Sequence, residues 1–253
     1  MTNPKFTRLI VDPTPNSGKW NMALDEALLE SAVHRGRCTV RIYRWSQPTV
    51  SLGYFQRTDE IDPESSWADL PRVRRLSGGG AILHHLEWTY SCTIPPGHPA
   101  IRTPGALYET AHRQIIDVLK EFGVEAALRG SVVRNSFRTS AGACEMNFAR
   151  PPSAFMCFSR GDARDVVLHG HKIVGSAQRR RKGAVLQHGS ILLQASPFAP
   201  ELPGIVDLAG DFPPAEFLGE QIGRSIAVAL SETIETAAPT AEELVAARRA
   251  VQN

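Results

Sequence analysis

Residues 155–193 read FMCFSRGDARDVVLHGHKIVGSAQRRRKGAVLQHGSILL, and this stretch decides much of the fold and chemistry of the chain. It contains Cys157 and, fifteen positions later, Lys172. Only a thiolate attacks a carbonyl, and a nearby ammonium stabilises the thiolate against the usual thiol pKa of about 8.5. Residues 166–168 and 173–174 are typical of two short strands joined by a tight turn, which would return Lys172 towards Cys157. The stretch predicts a reactive Cys157/Lys172 pair, with a buried structural cysteine as the alternative.

A second motif is rich in glycine. Residues 74–84 read RRLSGGGAILH and precede an alternating strand at residues 88–94. Three consecutive glycines are costly in a regular element, but they suit a backbone whose N–H groups approach phosphate or carbonyl oxygens. The alternative is an ordinary glycine-rich turn between strands.

Together the two motifs resemble those of the lipoate-protein ligase and octanoyltransferase family, within the biotin/lipoate ligase superfamily. The resemblance covers residues 8–195 in the expected order of motifs. Four segments carry it: NMALDE at 21–26, RLSGGGA at 75–81 with His84, KIVGSAQ at 172–178, and HGSILL at 188–193.

The resemblance implies an α+β fold. A mixed, largely antiparallel sheet flanked by helices is expected, as in the class II synthetase-like catalytic domain of the superfamily. We assign residues 8–200 to this domain. Residues 201–253, which follow a proline-rich break, are predicted to be a helical extension packed on the same domain.

Two subfamilies compete for the activity. ATP-dependent ligases make lipoyl-adenylate and need no nucleophilic cysteine, whereas octanoyltransferases of the LipM type pass octanoate from acyl carrier protein to a lipoyl-domain lysine. The position of Cys157 upstream of Lys172, the strand at 87–91 and the segment at 175–191 favour the transferase. Only about sixty residues follow the last motif, whereas single-chain ligases append an accessory domain.

Two features point towards the ligase. Gly80 stands where such transferases often have arginine, and residues 158–163 lack the expected aromatic-rich sequence. We predict the octanoyltransferase, with the ligase, an amidotransferase between lipoyl domains, and a domain that binds without turnover as alternatives.

The transferase mechanism implied by the resemblance has two half-reactions. The Cys157 thiolate attacks the carrier thioester, and the lipoyl-domain lysine then attacks the acyl-enzyme. Lys172 either lowers the thiol pKa or binds the developing oxyanion.

The resemblance also implies a substrate-binding set in which small residues leave room for an eight-carbon chain. This set comprises Arg75, Ser77, Gly78, Gly79, Gly80, His84, Gly175, Ser176, Ala177, His188 and Gly189. A structural role for His188 is equally open. No metal or cofactor is expected, and ATP with Mg²⁺ would be needed only by a ligase.

Composition is typical of one globular domain of 253 residues, with 42% hydrophobic and 21% charged residues. No apolar run approaches a membrane span and no signal peptide is evident, so we predict a cytoplasmic protein. The four cysteines, at 38, 92, 144 and 157, form no CxxC pair and are expected to be free thiols. Cys144 is the rival nucleophile, without a following lysine or histidine motif.

The partners expected from the resemblance are acyl carrier protein and the lipoyl domains of glycine cleavage H protein or of the E2 chain of 2-oxoacid dehydrogenases. The basic run Arg179-Arg180-Arg181-Lys182 is either a solvated hairpin turn or a docking patch for the acidic carrier protein. No aromatic residues interleave with it and no recognition helix accompanies it, so nucleic acid is not expected.

Periodicity and capping signals predict the remaining elements. These are helices at 17–35, from Thr103-Pro104 to Gly123, at 215–234 and at 240–251 with a Thr240/Glu243 capping box, strands at 40–45 and 49–53, and an irregular region at 134–154.

Overall fold

The computed structural model describes residues 6–136, 158, 161–210 and 215–252. Within these ranges it contains eleven strands, six α-helices and two short 3₁₀ helices, Thr58–Glu60 and Pro99–Ile101. The strands are β1 (Thr7–Val11), β2 (Cys38–Tyr43), β3 (Thr49–Leu52), β4 (Arg72–Arg74), β5 (Ile82–His84), β6 (Glu87–Ile94), β7 (Ala127–Leu128), β8 (Val166–Leu168), β9 (His171–Arg181), β10 (Ala184–Leu192) and β11 (Ile234–Thr236). The helices are α1 (Gly18–Arg35), α2 (Ala106–Glu121), α3 (Arg129–Ser136), α4 (Ile205–Ala209), α5 (Ala215–Leu230) and α6 (Ala241–Gln252).

Eight strands form the main sheet, in the order β11-β1-β2-β6-β10-β9-β8-β7. Strand β1 pairs in parallel with β11 and β2, and the other neighbouring pairs are antiparallel. The predicted mixed, largely antiparallel sheet flanked by helices is confirmed.

Helices cover both faces of the main sheet. Leu9 packs into the cluster that contains the apolar side chains of α2 and α5, whereas the next residue, Ile10, packs with α1 and α6. This alternation follows from the two-residue period of a strand. Gly219 and Gly223, one turn apart on α5, lie so close to the sheet that a Cβ would come within 2.6 Å of Trp88 and 2.5 Å of Ile42.

The predicted caps of α1 and α6 are confirmed. Ser17 accepts a hydrogen bond from the backbone N–H of Trp20, and Gly36 ends α1 with a left-handed φ of 65°. The backbone N–H of Thr240 donates to Glu243, whose own N–H donates back to the Thr240 hydroxyl. The predicted helices at 17–35 and 240–251 are confirmed within a residue.

Two predicted helix boundaries were wrong. Helix α2 starts at Ala106 rather than at Thr103, because Gly105 has a φ of 88° that an α-helix excludes. It ends as predicted before Gly123, which has a φ of 78°. Helix α5 ends at Leu230, and Ile234 begins strand β11, which extends the sheet beyond β1.

Strand β9 is much longer than the predicted strand at 173–174. It runs from His171 to Arg181 and therefore includes most of the basic run, which is not simply a hairpin turn. The predicted irregular region at 134–154 was wrong at its start, because residues 134–136 belong to α3. Residues 137–154 lie outside the described part of the chain.

A second, three-stranded sheet in the order β4-β3-β5 has its own apolar cluster, which includes Val50, Leu52 and Leu83. The connection between β4 and β5 is the glycine-rich motif. The small sheet therefore presents this motif to the main sheet, where Ser77 contacts His188 on β10. Helix α5 and strand β11 pack on the main sheet, and the proposed division at residue 200 stays a prediction.

Candidate active site

Arg75 holds the glycine-rich loop in shape from within. Its side chain is buried, and one guanidinium nitrogen donates to the carbonyl and hydroxyl oxygens of Ser51 at 2.5 and 2.6 Å. The other donates to the carbonyl oxygens of Gly78 and Gly80 at 3.3 and 2.8 Å. Gly79 has a φ of 96°, which favours glycine. Arg75 thus fixes the loop through the loop's carbonyl oxygens.

Ser77, His188 and Asp25 form a buried line behind this loop. The Ser77 hydroxyl lies 2.5 Å from Nε2 of His188, and Nδ1 of His188 lies 3.6 Å from a carboxylate oxygen of Asp25. Burial lowers the pKa of His188, although Asp25 acts in the opposite direction. We assign a neutral imidazole with its proton on Nδ1, so that Nε2 accepts a hydrogen bond from Ser77.

Asp25 is itself fixed by three side chains of the central strands. It accepts hydrogen bonds from Arg41 at 2.9 Å, Tyr43 at 2.9 Å and Ser91 at 2.8 Å. Burial alone would raise the pKa of Asp25, but His188, Arg41 and Ser91 together lower it. A charged Asp25 therefore orients the His188 ring, which orients Ser77.

His84 lies in a second buried network, which is joined to Arg75 through the Ser51 hydroxyl. Its ring stacks on Trp45 at 3.8 Å between centroids, Nδ1 lies 2.6 Å from a Glu87 oxygen, and Nε2 lies 2.6 Å from the Ser51 hydroxyl. Ser190 on β10 also donates to Glu87. Because both ring nitrogens have protein partners, His84 braces the small sheet against the main sheet. The substrate-binding role of His84 stays a prediction.

Lys172 is held in a buried ion pair. Its ammonium lies 3.1 Å from Asp165, and both side chains are 6% exposed. A Cβ at Gly175 would come 2.5 Å from Cε and 2.8 Å from Nζ of Lys172, so glycine at this position leaves the space that the lysine occupies. The KIVG motif is therefore a lysine together with the glycine that accommodates it.

The predicted residues on β9 and β10 divide between the two faces of the sheet. Gly175 and Ala177 pair with Ser190 and His188, on the face towards the small sheet and the glycine loop. Ser176 points to the other face, where its hydroxyl lies 2.8 Å from Nε2 of His112 on α2. The structure thus brings Gly175 and Ala177, but not Ser176, to the Lys172 side.

Gly189 lies where the main sheet is tightly packed on the face that carries Ser176. A Cβ there would come 2.5 Å from the Tyr90 ring and 2.8 Å from Ser176. Burial lowers the pKa of His112, whose Nδ1 lies 2.5 Å from the Arg164 carbonyl oxygen. His112 is thus a neutral ring that supports β9 from behind. The substrate-binding roles of Ser176 and Gly189 stay predictions.

Cys157 and Cys144 lie outside the described residues. The neighbour of Cys157 in the chain, Phe158, is described and buried among Ile82 and Leu192. The Lys172 ammonium lies 5.0 Å from the centroid of the Phe158 ring. The residue next to the predicted nucleophile is therefore in contact distance of the predicted catalytic lysine.

Sequence reasoning missed three carboxylates that control this site. Asp25, Glu87 and Asp165 are all buried, and each orients a residue that a motif had singled out. A signal existed for Asp25, which lies four residues after the polar Asn21 and so on the same side of α1. No comparable signal distinguished Asp165 from the other acidic residues in its loop.

The comparison with protein families agrees with the motifs. Residues 17–201 match the model of the lipoyl protein ligase A/B catalytic domain. The chain belongs to this family.

Two similar proteins are octanoyltransferases. The chain is 34% identical to octanoyltransferase LipM of Kyrpidia tusciae over 255 residues, covering 90% of this chain and 88% of that one. It is 39% identical to octanoyltransferase LipM of Geobacillus kaustophilus over 178 residues, covering 69% of this chain and 61% of that one. These relatives confirm the prediction of an octanoyltransferase.

Solved structures of the family confirm the predicted catalytic-domain fold. A Thermoplasma acidophilum protein assigned as a lipoate protein ligase, solved with bound lipoic acid, superposes with a TM-score of 0.71 at 21% identity. The superposition covers 96% of this chain and 94% of that one.

Two further observations concern only the described residues. They hold no group of three or more His, Cys, Asp or Glu side chains that could bind a metal ion. No helix among them is both long and apolar enough to cross a membrane. The cytoplasmic location and the cofactor requirement stay predictions.

Proposed function

We propose that the chain transfers an octanoyl group from acyl carrier protein to a lysine of a lipoyl domain through a thioester on Cys157. The observation that carries this proposal is the Lys172–Asp165 ion pair, buried beside Gly175 on the face of β9 towards the glycine-rich loop. A buried, oriented ammonium is a suitable partner for a thiolate and for the oxyanion of an acyl-transfer intermediate.

The first half-reaction moves the acyl group onto the enzyme. The Cys157 thiolate attacks the carbonyl carbon of the carrier thioester and forms a carbon–sulfur bond. The intermediate collapses by breaking the bond to the carrier's thiolate, which then takes a proton. The position of Phe158 beside Lys172 supports this assignment, because Cys157 is its neighbour in the chain.

Lys172 acts best as a hydrogen-bond donor to the oxyanion. Asp165 neutralises much of its charge at a distance of 3.1 Å, which weakens the effect of the ammonium on a thiol farther away. The same carboxylate fixes the direction of the ammonium N–H bonds, and a preoriented donor stabilises an oxyanion without reorganisation.

The second half-reaction forms the amide. A neutral lysine amine of the lipoyl domain attacks the carbonyl carbon of the Cys157 thioester and forms a carbon–nitrogen bond. The carbon–sulfur bond to Cys157 breaks, and the proton lost by the amine passes to the Cys157 thiolate or to solvent. Conversion of a thioester into an amide is downhill, so no nucleotide is required. Lipoyl domains are the acceptors that fit a family described by its action on lipoyl proteins.

Small side chains support an acyl chain as the group transferred. A Cβ on Gly78 would meet no atom within 4 Å, so there is open space beside the glycine-rich loop. Ala177 is the small residue of β9 on the face towards this loop. The buried Ser77–His188 hydrogen bond, with Asp25 3.6 Å behind the His188 ring, fixes the position of the loop and so the width of this space.

A transfer assay tests the proposal. Octanoyl-carrier protein and a lipoyl domain without ATP should give octanoylated lipoyl domain, whereas free octanoate or lipoate with ATP and Mg²⁺ should give none. Cys157→Ser should abolish transfer, and Cys144→Ser should retain most of it. Acylation by Cys157→Ala from lipoate and ATP would establish the ligase instead.

A further inference from the structure

Two aromatic side chains stand exposed at the end of β3. Phe55 is 82% exposed, the most exposed large hydrophobic side chain in the described ranges, and its neighbour Tyr54 is 44% exposed. The two rings meet edge to face at 5.0 Å. Burial of such a pair by a partner is favourable, and its exposure in the free chain needs an explanation.

The loop that carries the pair is well ordered by hydrogen bonds. One guanidinium nitrogen of Arg74 donates to the carbonyl oxygens of Gly53, Tyr54 and Gln56 at 3.0, 3.2 and 2.6 Å. The N–H of Gly53 donates to the Gln56 side chain at 3.0 Å. The aromatic rings are therefore held outward by a fixed backbone, as a rigid recognition surface requires.

This loop adjoins the candidate active site. The Tyr54 N–H donates to the Ser77 carbonyl oxygen at 2.9 Å, and Ser77 contacts His188. A Cβ on Gly53 would overlap the carbonyl oxygen of Gly79, so the loop and the glycine-rich motif pack backbone against backbone. A partner seated on the aromatic pair would lie next to the loop that Ser77 anchors.

Arg179 lies beside the aromatic pair. The Arg179 guanidinium carbon lies 4.9 Å from the centroid of the Tyr54 ring, within the range of a cation–π contact. Among the described residues no carboxylate lies within ion-pair distance of Arg179. Its positive charge is therefore available to an acidic partner.

The basic run that follows is divided by the strand. Side chains alternate across β9, so Arg179 and Arg181 point to one face and Arg180 to the other. Arg181 is already paired with Glu26 at 2.9 Å and Glu30 at 2.5 Å on α1. Of the predicted four-residue patch, only Arg179 both borders the aromatic pair and lacks a carboxylate partner in the described ranges.

We infer that Tyr54, Phe55 and Arg179 form a docking rim for the acyl carrier protein. The residues that contribute most to binding in protein interfaces are enriched in tyrosine and arginine, and the positive charge selects an acidic protein. The inference rests on the proposed function, because it names the surface on which the donor of that reaction binds.

The test compares two acyl donors in the formation of acyl-enzyme. Phe55→Ser and Arg179→Ser should each lower kcat/KM for octanoyl-carrier protein by roughly tenfold or more, as loss of an interface hot spot does. Octanoyl-pantetheine, a small neutral donor, should react with both variants within about twofold of the wild-type rate, since it makes no rim contact. Added salt should slow carrier-dependent acylation of wild type more than that of Arg179→Ser.

Phe217→Ser is the matched control, because Phe217 is 61% exposed on α5 and belongs to no site described above. It should leave both donors unaffected. Equal loss with both donors, or no loss with the carrier, would overturn the docking rim. Normal acyl-enzyme formation with impaired transfer to the lipoyl domain would assign the rim to the acceptor instead. Failure of wild type to accept octanoyl-pantetheine and octanoyl-carrier protein alike would contradict the proposed function, not the rim.

Discussion

The chemistry of Lys172 depends on Asp165, a residue outside the four segments that carry the family resemblance. An isolated ammonium next to a thiol acts through its charge, whereas an ammonium paired with Asp165 presents little net charge and a fixed set of N–H donors. Asp165 also accepts a hydrogen bond from the backbone N–H of Asp162 at 2.7 Å, which anchors the pair to the turn before β8. The two roles of Lys172 can therefore be separated by substituting each member of the pair.

The two members of the ion pair should have opposite effects on the thiol. Lys172→Ala should raise the pKa of Cys157, because Asp165 then stands without its cation, and Asp165→Asn should lower it, because the ammonium is no longer neutralised. A shift of about one pH unit in each direction is expected in the midpoint of iodoacetamide alkylation. The measurement is the alkylation rate of Cys157 against pH in a Cys144→Ser background.

Transfer activity should respond differently from alkylation. Both variants should lose activity, Lys172→Ala by roughly a hundredfold, because the oxyanion loses its donor or the donor loses its orientation. Lys172→Arg should restore the pH profile but not the activity, since a guanidinium fork does not fit the space beside Gly175. Shifts of equal sign in Lys172→Ala and Asp165→Asn would exclude electrostatic coupling to the thiol.

At the scale of elements, helix α6 is secured by one carboxylate. Glu243 receives hydrogen bonds from Arg8 on β1 at 2.8 and 2.9 Å and from Ser31 on α1 at 2.6 Å. Burial alone would raise the pKa of Glu243, but these hydrogen bonds lower it from 4.5 to about 2. The capping box that the sequence revealed therefore also joins α6 to the main sheet.

This arrangement predicts a defined dependence of stability on pH. Because the pKa of Glu243 is lower in the folded than in the unfolded chain, its contribution is complete above pH 4.5 and is lost as the pH falls towards 2. Glu243→Gln should lower the free energy of unfolding at pH 7 by about 3 kcal/mol, since it leaves the Arg8 cation buried without its partner. Chemical denaturation at a series of pH values gives the difference from wild type.

The control for this prediction is the preceding residue. Glu242 pairs with Arg35 at the surface, with its side chain 65% exposed, so Glu242→Gln should change the unfolding free energy by less than about 1 kcal/mol. The prediction is contradicted if the free energies of unfolding of wild type and Glu243→Gln differ by the same amount at pH 7 and at pH 2. The Glu243 carboxylate would then not stabilise α6 through its charge.

At the scale of the whole molecule, the sequence predicted the mixed, largely antiparallel main sheet and helices α1, α2, α5 and α6, but not the second, three-stranded sheet. This prediction came from the order of the motifs, because the family resemblance implies which segments form one domain. Local sequence signals located a helix end correctly where the residue at that end gives the signal. Ser17 caps the start of α1, and Gly123 follows the end of α2.

Long-range partners were beyond the reach of the sequence. The pairing of β11 with β1 joins residues more than 220 positions apart, and nothing local in residues 234–236 announces it. The same holds for Asp25 beneath His188 and Asp165 beside Lys172, because burial, not residue type, makes these carboxylates important. The division of the basic run was missed, because the predicted strand ended at residue 174. Since β9 reaches Arg181, the two-residue period of a strand separates Arg180 from Arg179 and Arg181.

The central claim is covalent catalysis by Cys157, and the mass of the intact protein tests it most directly. Incubation with octanoyl-carrier protein, without ATP and without acceptor, should add one octanoyl group that hydroxylamine removes and that maps to the peptide containing Cys157. Adding a lipoyl domain should then discharge the acyl group onto the domain. An unmodified wild-type chain that nevertheless acylates the lipoyl domain, or a stable adduct that persists in Cys157→Ala, would contradict the account.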